Sequence, residues 1–546
     1  MAEPKENLQM EKIVSLCKRR GFIFQSSEIY GGINGFWDYG PLGAELKRNV
    51  KELWWNAMTR QRDDVAGLEA TIIMSPKIWE ASGHVATFSD PMIDCKTCKG
   101  RFRADQTDEI ACPQKPSKCV NECHGEKTEA RPFNLMFQTY VGPTATEADI
   151  AYLRPETAQA IFAQFKNVLE TSRQKVPFGI AQVGKAFRNE VTPRNFTFRS
   201  REFEQMELEF FIKPDEVIEA ICGNVASAAE AFRVPPSGGT EPAKAGTPNP
   251  GPNWGWEAWH KYWVEERMRF YEGIGLPRAT LEEYWQKPEE LAHYARACVD
   301  ILFKFPFGAQ ELEGIAARSD FDLSQHARFS GKPMGVFDEE LRAAWGKLPK
   351  EKQDELWRRY YENRKRYLTK MAKPDETPEQ IQKQATEDAN GLAKGQYIPH
   401  VIEPSAGVDR LILALICNAY HEDQMPDEKG KMDTRVVLKF HPRVAPIKVA
   451  VLPLLKNKPE LVKKALAVRD ILRPHMNVFY DDAGAIGRRY RRQDEAGTPF
   501  CLTIDFDTLG EKPELLDTVT IRYRDDGRQE RLKISELLEI LLSKVR

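Results

Sequence analysis

The stretch FRNEVTPRNFTFRSREFEQMELEFF, Phe187 to Phe211, alternates apolar residues with Arg and Glu almost to its end. Buried β-structure is ordinarily poor in charge, because an ionised side chain removed from water must find a partner. Two strands of this pattern, joined by the loop VTPRNFTF, predict an antiparallel pair with one charged face. Arg188 and Glu190 are two apart, so both project from one side of a strand, with Phe187 and Asn189 on the other. Arg199 and Phe203, four apart on the return strand, also share a side. An Arg can clamp a phosphate, a carboxylate can accept from a base amino group or orient that Arg, and a Phe can stack on a base. The alternative is a cross-strand ladder of ion pairs on a wet sheet.

Which alternative holds depends on the rest of the chain. At 546 residues it exceeds one hydrophobic core, so several domains are expected. Hydrophobic residues make up 41% and charged residues 29%, which excludes a disordered chain. The net charge of −2 means that a polyanionic partner must meet local basic patches. The densest is GRRYRR, Gly487 to Arg492. MAEPKENLQMEKIV has no signal-peptide apolar core and carries Glu3 and Glu6, which a transit peptide avoids. The longest apolar run, Leu411 to Cys417, is too short to span a bilayer. A cytoplasmic protein with no membrane partner is expected.

Along the chain, SSEIYGGINGFWDYGPLG (Ser26 to Gly43) breaks a first helical pattern, and a helix follows over Glu45 to Thr59. LEATIIMSP (Leu68 to Pro76) reads as a strand stopped by Pro. A Cys-rich insertion occupies about 90–130, and a helix is predicted over Glu156 to Glu170. Residues 212 to about 300 read as a helical insertion containing a Pro/Gly-rich linker, Val234 to Trp256. A second charged helical block, within 335–395, reads as a solvated face. Pro399 to Ile416 reads as a strand, a small-residue turn and an apolar helix. A last unit of strands and helices, 441–546, has the size of a common domain, leaving 1–440 as the larger one.

FRNE, a loop and RxxxF resemble motif 2 of the class II aminoacyl-tRNA synthetases. GVDRLILAL (Gly407 to Leu415) is similar to their motif 3, and the helix with the Pro76-ended strand to motif 1, the dimer-forming element. EIYGGINGFWDYGPLG, WEASGH, RPFNLMFQT, LRPETAQ, EPSAGVDR and GRRYRRQDEAGTPFCLTID together resemble the dimeric type of glycyl-tRNA synthetase. The fold this implies is α+β: an antiparallel-sheet catalytic core carrying helical and Cys-rich insertions, plus a C-terminal α/β anticodon-binding domain. It implies a homodimer that ligates glycine to tRNA through an adenylate, with ATP bent over the charged sheet. The chain has no GxxxxGK[ST] phosphate loop.

By this resemblance Arg188 meets the α-phosphate, and Arg410 is the second catalytic residue, covering one adenine face. Phe203 stacks on the other face, Glu190 reads the adenine amino group and Arg199 holds the distal phosphates. Asn189, Phe198, Leu312, Gly407 and Asp409 complete the ATP surface, and Glu311 holds Mg²⁺ between phosphates. Glu207, Glu403 and Ser405, with Glu156 nearby and Phe203 and Gly407 at the edge, receive glycine. Arg103 in RFRAD meets the substrate from a neighbouring loop, with Arg101 close enough to be confused with it. His84 reads as a structural histidine. A synthetase-like accessory subunit that binds nucleic acid without catalysis is the alternative, but such a chain is expected to lose ATP residues that this one retains.

Ten Cys without a secretory signal argue against a disulfide framework. Cys95 and Cys98 form one knuckle, and Cys119 and Cys123 a second about twenty residues later, a spacing near that of a zinc ribbon. Cys112 or His124 could replace one ligand. Arg488, Arg489, Arg491 and Arg492, expected to crown a strand edge beside Tyr490, are the candidate tRNA contacts.

Overall fold

The computed structural model describes residues 5–108, 110–143, 146, 149–232, 250–292, 294–372, 376–426 and 432–545. The expected Pro/Gly-rich linker lies outside the described residues up to position 249. The centre is a seven-stranded sheet of β1 (Val65–Gly67), β2 (Phe178–Phe187), β3 (Glu202–Ile212), β4 (Leu281–Trp285), β5 (Ala295–Phe305), β6 (Gly308–Arg318) and β7 (His400–Gly407). Its order is β4-β5-β6-β7-β3-β2-β1, antiparallel throughout except for β1, which runs parallel to β2. This is the expected α+β core.

The β2–β3 pair runs in unbroken register from Phe178 opposite Phe211 to Phe187 opposite Glu202. The strands therefore stop short of Arg188 and Arg199: the backbone turns out of the pleat at Arg188, and Phe196–Phe198 forms a 3₁₀ turn. Along β3, alternation sorts the two faces. Met206, Leu208 and Phe210 point into the main core, where Phe210 meets Trp259 and Trp263 of a helix, Trp256–Gly273. Gln205, Glu207 and Glu209 point the other way and are nevertheless buried.

Several boundaries differ from expectation. Leu68 to Pro76 contributes only the two-residue strand Ile73–Met74, and Pro76 opens a helix, Pro76–Ala81, at the position where proline's fixed φ suits a first turn. The insertion expected to run to about 300 ends earlier, since β4 and β5 belong to the main sheet. Val299, Ile301, Phe303 and Phe305 are buried at every second residue, the strand period. No turn separates β7 from the helix Val408–Ala419; the strand runs into it at Gly407. The charged block is not simply a solvated face: Leu356, Tyr360 and Leu368 pack with Ile381, Ala385 and Ala389 into a second core. The long helix Pro41–Trp55 buries Leu46, Val50 and Trp54 within its own chain, so this apolar stripe is unavailable to a partner.

A separate five-stranded sheet comprises β8 (Val449–Pro453), β9 (Val478–Tyr480), β10 (Phe500–Ile504), β11 (Thr518–Tyr523) and β12 (Gln529–Lys533), in the order β9-β8-β10-β11-β12. Val449, Val451, Leu461, Leu502, Ile521 and Leu541 give it a core of its own. Arg435, on a hairpin leaving the larger body, reaches Asp494 at 3.1 Å and the Arg524 carbonyl oxygen at 2.8 Å, docking the two bodies together. Among the described residues no helix is long and apolar enough to cross a membrane.

Candidate active site

A cavity of about 620 Å³ opens on the polar face of the main sheet. Arg188, Glu190, Phe198, Arg199 and Phe203 line one wall, and Glu311, Leu312, Gly407, Asp409 and Arg410 another. Glu156, Glu207, Glu403 and Ser405 line its deep end. The structure thus gathers fourteen of the sixteen residues expected around ATP and glycine. Asn189 is outside the lining, its N–H donating to the Leu135 carbonyl oxygen at 2.7 Å. Arg103 is also outside it, donating to Asp90 at 2.8 Å and to Asp105 at 2.7 Å. Arg101 is mostly exposed beside Asp94, so of the two Arg103 is the one nearer the site.

Local contacts aim these side chains. Arg188 donates through Nε to the Pro155 carbonyl oxygen at 3.0 Å, which ties it to the loop carrying Glu156, and lies 5.3 Å from the Phe203 ring centroid. Glu190 accepts from Arg199 Nε at 2.9 Å, so it orients Arg199 rather than Arg188. Arg410 lies over Phe198 at 4.6 Å and donates to the Glu311 carboxylate at 3.0 Å. A register shift separates the β5 partners of Glu311 and Glu313. Such a bulge turns residues two apart to opposite faces. Glu311 accordingly faces the cavity, whereas Glu313 is buried against Arg267 behind the sheet.

Asp409 also has a structural part. Its carboxylate accepts from Tyr39 Oη at 2.6 Å, Lys47 Nζ at 2.7 Å and the Glu204 N–H at 2.7 Å. With these three donors Asp409 braces Pro41–Trp55 and Val408–Ala419 against β3 while still lining the cavity.

At the deep end Glu207 accepts from Thr157 Oγ1 at 2.8 Å and Ser405 Oγ at 3.0 Å. Glu403 receives Arg318 Nη1 at 2.7 Å. Burial first, then mutual repulsion, pushes the Glu207 carboxyl well above the ordinary carboxylate range. Glu156 goes the other way: burial would raise it, but His84, 3.3 Å away, and the cations Arg318 and Arg188 hold it at about 2. His84 is therefore no plain core histidine. It stands beside the cavity's acid and accepts or donates at Ser82.

Two buried arginines were given no role by the sequence reading, although Arg154 lies within LRPETAQ. Arg318 bridges Glu403 and Asp322 and lies 3.8 Å from the Tyr294 ring centroid. Arg154 donates to the Lys185 carbonyl oxygen at 2.6 Å and to Gln182 at 2.7 Å, and a Cβ at position 184 would fall 2.1 Å from its Nη2, so any side chain there would have to displace the guanidinium. Apart from Asp322, four residues on from Arg318, their partners lie far away in sequence, which no local pattern announces.

The Cys-rich insertion also departs from expectation. Cys112 Sγ lies 2.8 Å from Cys123 Sγ, and Cys95 and Cys98 interact with Cys112. Cys119 takes no part. It sits on a strand opposite Ala111, its N–H bonded to Glu122. The Cys98 N–H donates to Cys95 Sγ at 3.5 Å. A Cβ on Gly125 would meet Cys95 Sγ at 2.7 Å.

The basic patch is helical, on Ile486–Ala496, rather than the crown of a strand edge. Arg489 is 2% exposed and donates to four carbonyl oxygens, of Pro453, Asp481, Leu454 and Gly484. Arg492 is held by Asp481 at 2.6 Å, and Tyr490 bonds Thr503 with Arg522 over its ring. Arg488 is exposed and Arg491 half-buried.

Comparison with known proteins accounts for this combination. Residues 144–235 match the model described as "tRNA synthetase class II core domain (G, H, P, S and T)", and residues 448–544 match "Anticodon binding domain". The chain is 43% identical over 540 residues to the glycine–tRNA ligase of Treponema denticola, covering 99% of this chain and 98% of that one. It is 42% identical to those of Streptomyces coelicolor, covering 98% of each chain, and Thermus thermophilus, covering 97% of each. A charged sheet without a phosphate loop, an acidic pocket at its deep end and likeness along nearly the whole length agree, and the chain belongs to the glycine–tRNA ligase family of class II synthetases.

Proposed function

We propose that this chain activates glycine with ATP and transfers it to the 3′ end of a glycine-accepting tRNA. The observation that carries this reading is one cavity in which the arginine-lined wall around Phe203 meets the acidic pocket of Glu156, Glu207 and Glu403. ATP lies along the first wall with its adenine between Phe203 and Arg410. Glycine's ammonium enters the acidic end, and its carboxylate attacks the α-phosphorus as pyrophosphate leaves. Arg188 neutralises charge developing on the phosphoryl oxygens, which is positioning and electrostatics without a protein nucleophile. Ser405, Thr157 and Arg318 hold the carboxylates in place, and we assign the selection of glycine to that fixed acidic wall. Class II synthetases use ATP with Mg²⁺, and Glu311, facing the cavity, is the residue we assign to the ion, which would screen the phosphates when bound.

The tRNA then engages the division we place at 440/441, with residues 441–546 on the anticodon and Arg488 as the leading contact. The retained Arg188, Glu311 and Arg410 speak against a non-catalytic accessory subunit. Working on tRNA, the protein is assigned to the cytoplasm. We assign it to the dimeric type, with apolar Ile29, Tyr30 and Ile73 at the surface available to a second copy. The paired sulfurs of Cys112 and Cys123 beside the Cys95–Cys98 knuckle offer a donor set suited to Zn²⁺, and Cys95, Cys98, Cys112 and Cys123 are the ligands we assign. The ion would hold the insertion folded and keep Arg103 by the cavity rim. The test is charging: purified protein with ATP and a tRNA pool should attach labelled glycine, and no attachment under conditions that support ATP binding would overturn the reading.

A further inference from the structure

Behind the acidic pocket lies a fourth carboxyl that the reaction above does not use. Glu209 is two residues beyond Glu207 on β3, hence on the same face. Ser405 pairs with Glu207 and Ile402 with Phe210, a register that sets Glu209 directly across from Glu403 on β7. Oxygen atoms of Glu207, Glu209 and Glu403 all lie within 4.8 Å of one another. Glu209 is 0% exposed, and neither of its oxygens has a hydrogen-bond partner among the described residues. Like charges directly opposite on paired strands repel, and a buried carboxylate with no donor is costly.

The neighbours decide which acid stays neutral. Glu207 has two hydroxyl donors and Glu403 has Arg318. The charged groups around Glu209 are Glu403, Arg318, Glu207 and Asp322; Arg318 places its two terminal nitrogens on Asp322 and Glu403, and its Nε, though without a partner, makes no hydrogen bond to Glu209. Only Glu209 lacks a donor of its own, while both acids beside it have lone pairs to offer. A carboxylic acid in that place satisfies its own O–H and stiffens the acceptor it bonds.

We propose that Glu209 is a positioning residue for the amino-acid site: as a neutral acid it donates to the carboxylate of Glu403 or Glu207 and holds that group aimed at the substrate ammonium. The inference rests on the reading of this pocket as the glycine site. It implies that selectivity for the smallest amino acid depends on a layer behind the carboxylates that touch it.

Glu209→Gln keeps a neutral donor of the same shape, whereas Glu209→Met keeps volume and removes the donor. In glycine-dependent ATP–pyrophosphate exchange the Gln variant should keep its glycine KM within about twofold. The Met variant should raise glycine KM about tenfold, with ATP KM unchanged, the scale of one lost buried hydrogen bond. Equal behaviour of the two variants, or a loss in ATP KM, would overturn the proposal. Should the Met variant not fold, the infrared C=O band of a buried carboxylic acid reads the same group. It should be present in the native protein, absent from Glu209→Gln and shifted by glycine; a band that glycine does not move contradicts the inference. Glu403→Gln separates the two levels: an unchanged glycine KM there defeats the pocket's assignment itself, while a raised one with a normal Met variant defeats only the role of Glu209.

Discussion

Arg410 Nη1 bonds both the carbonyl oxygen and the carboxylate of Glu311, at 3.2 and 3.0 Å, across the mouth of the cavity. The first group is assigned to adenine and the second to the ion between phosphates, so ATP binding must part them. Arg410→Ala or Arg188→Ala should lower glycine-dependent pyrophosphate exchange by about 10²-fold or more, the scale of one lost transition-state contact, with unfolding unchanged. Near-native exchange in either variant would remove that residue from the site.

The Cys-rich insertion gives a test that separates two ligand sets. Cys112→Ser should lose the zinc carried by protein purified without added metal, and Cys119→Ser should keep about one ion per chain. Elemental analysis showing the reverse, or no zinc in the native protein, would contradict the assignment.

On the basic helix the four arginines divide by burial. Arg488→Ala should raise the tRNA KM and lessen the salt dependence by about one phosphate contact without affecting stability. Arg489→Ala strips donors from four carbonyl oxygens, those of Pro453 and Asp481 in buried bonds, and should destabilise the C-terminal body by about 2–3 kcal/mol. Denaturation curves read the second effect and charging kinetics the first; a silent Arg488→Ala would make the patch purely structural.

These divisions show what the sequence discloses. Phe203 was legible because alternation along its strand puts it on the charged face, and Glu207, Ser405 and Arg410 through the family resemblance of their motifs; Arg188 reaches the cavity although the strand ends before it, at Phe187. Spacing left Cys112 and Cys119 as alternatives because it counts residues but does not say which way a hairpin turns them; the structure sets Cys112 Sγ 2.8 Å from Cys123 Sγ. Asp409 sits beside Arg410 in sequence, yet its partners, Tyr39 and Lys47, are more than 350 residues away. The basic run reads as a cluster until its helical period is noticed: Arg489, Gln493 and Ala496 are buried and Arg488 is not. The strand content of 281–305 was legible in the alternation from Val299, but the helical flanks of the Pro/Gly-rich linker drew the insertion too long.

Burial first, then Glu403, raises the Glu209 carboxyl well above the ordinary carboxylate range. A folded state that binds a proton more tightly than the unfolded chain loses stability as pH rises from the unfolded value toward the folded one. Glu209→Gln needs no proton, so it should raise the unfolding midpoint at neutral pH, on the order of a few degrees, and flatten its decline above the ordinary carboxylate range. A midpoint that falls in the variant, or an unchanged pH slope, would mean that Glu209 is ionised in the native protein.

The central claim is that one cavity joins an ATP surface to a pocket built for an amino acid without a side chain. Pyrophosphate exchange measured with each of the twenty amino acids in turn tests it most directly. Exchange should depend on glycine, with alanine and serine at least about 10²-fold lower in kcat/KM, because a methyl or hydroxymethyl group would displace groups fixed by Ser405, Thr157 and Arg318. Comparable exchange with alanine or serine, or none with glycine, would contradict the account.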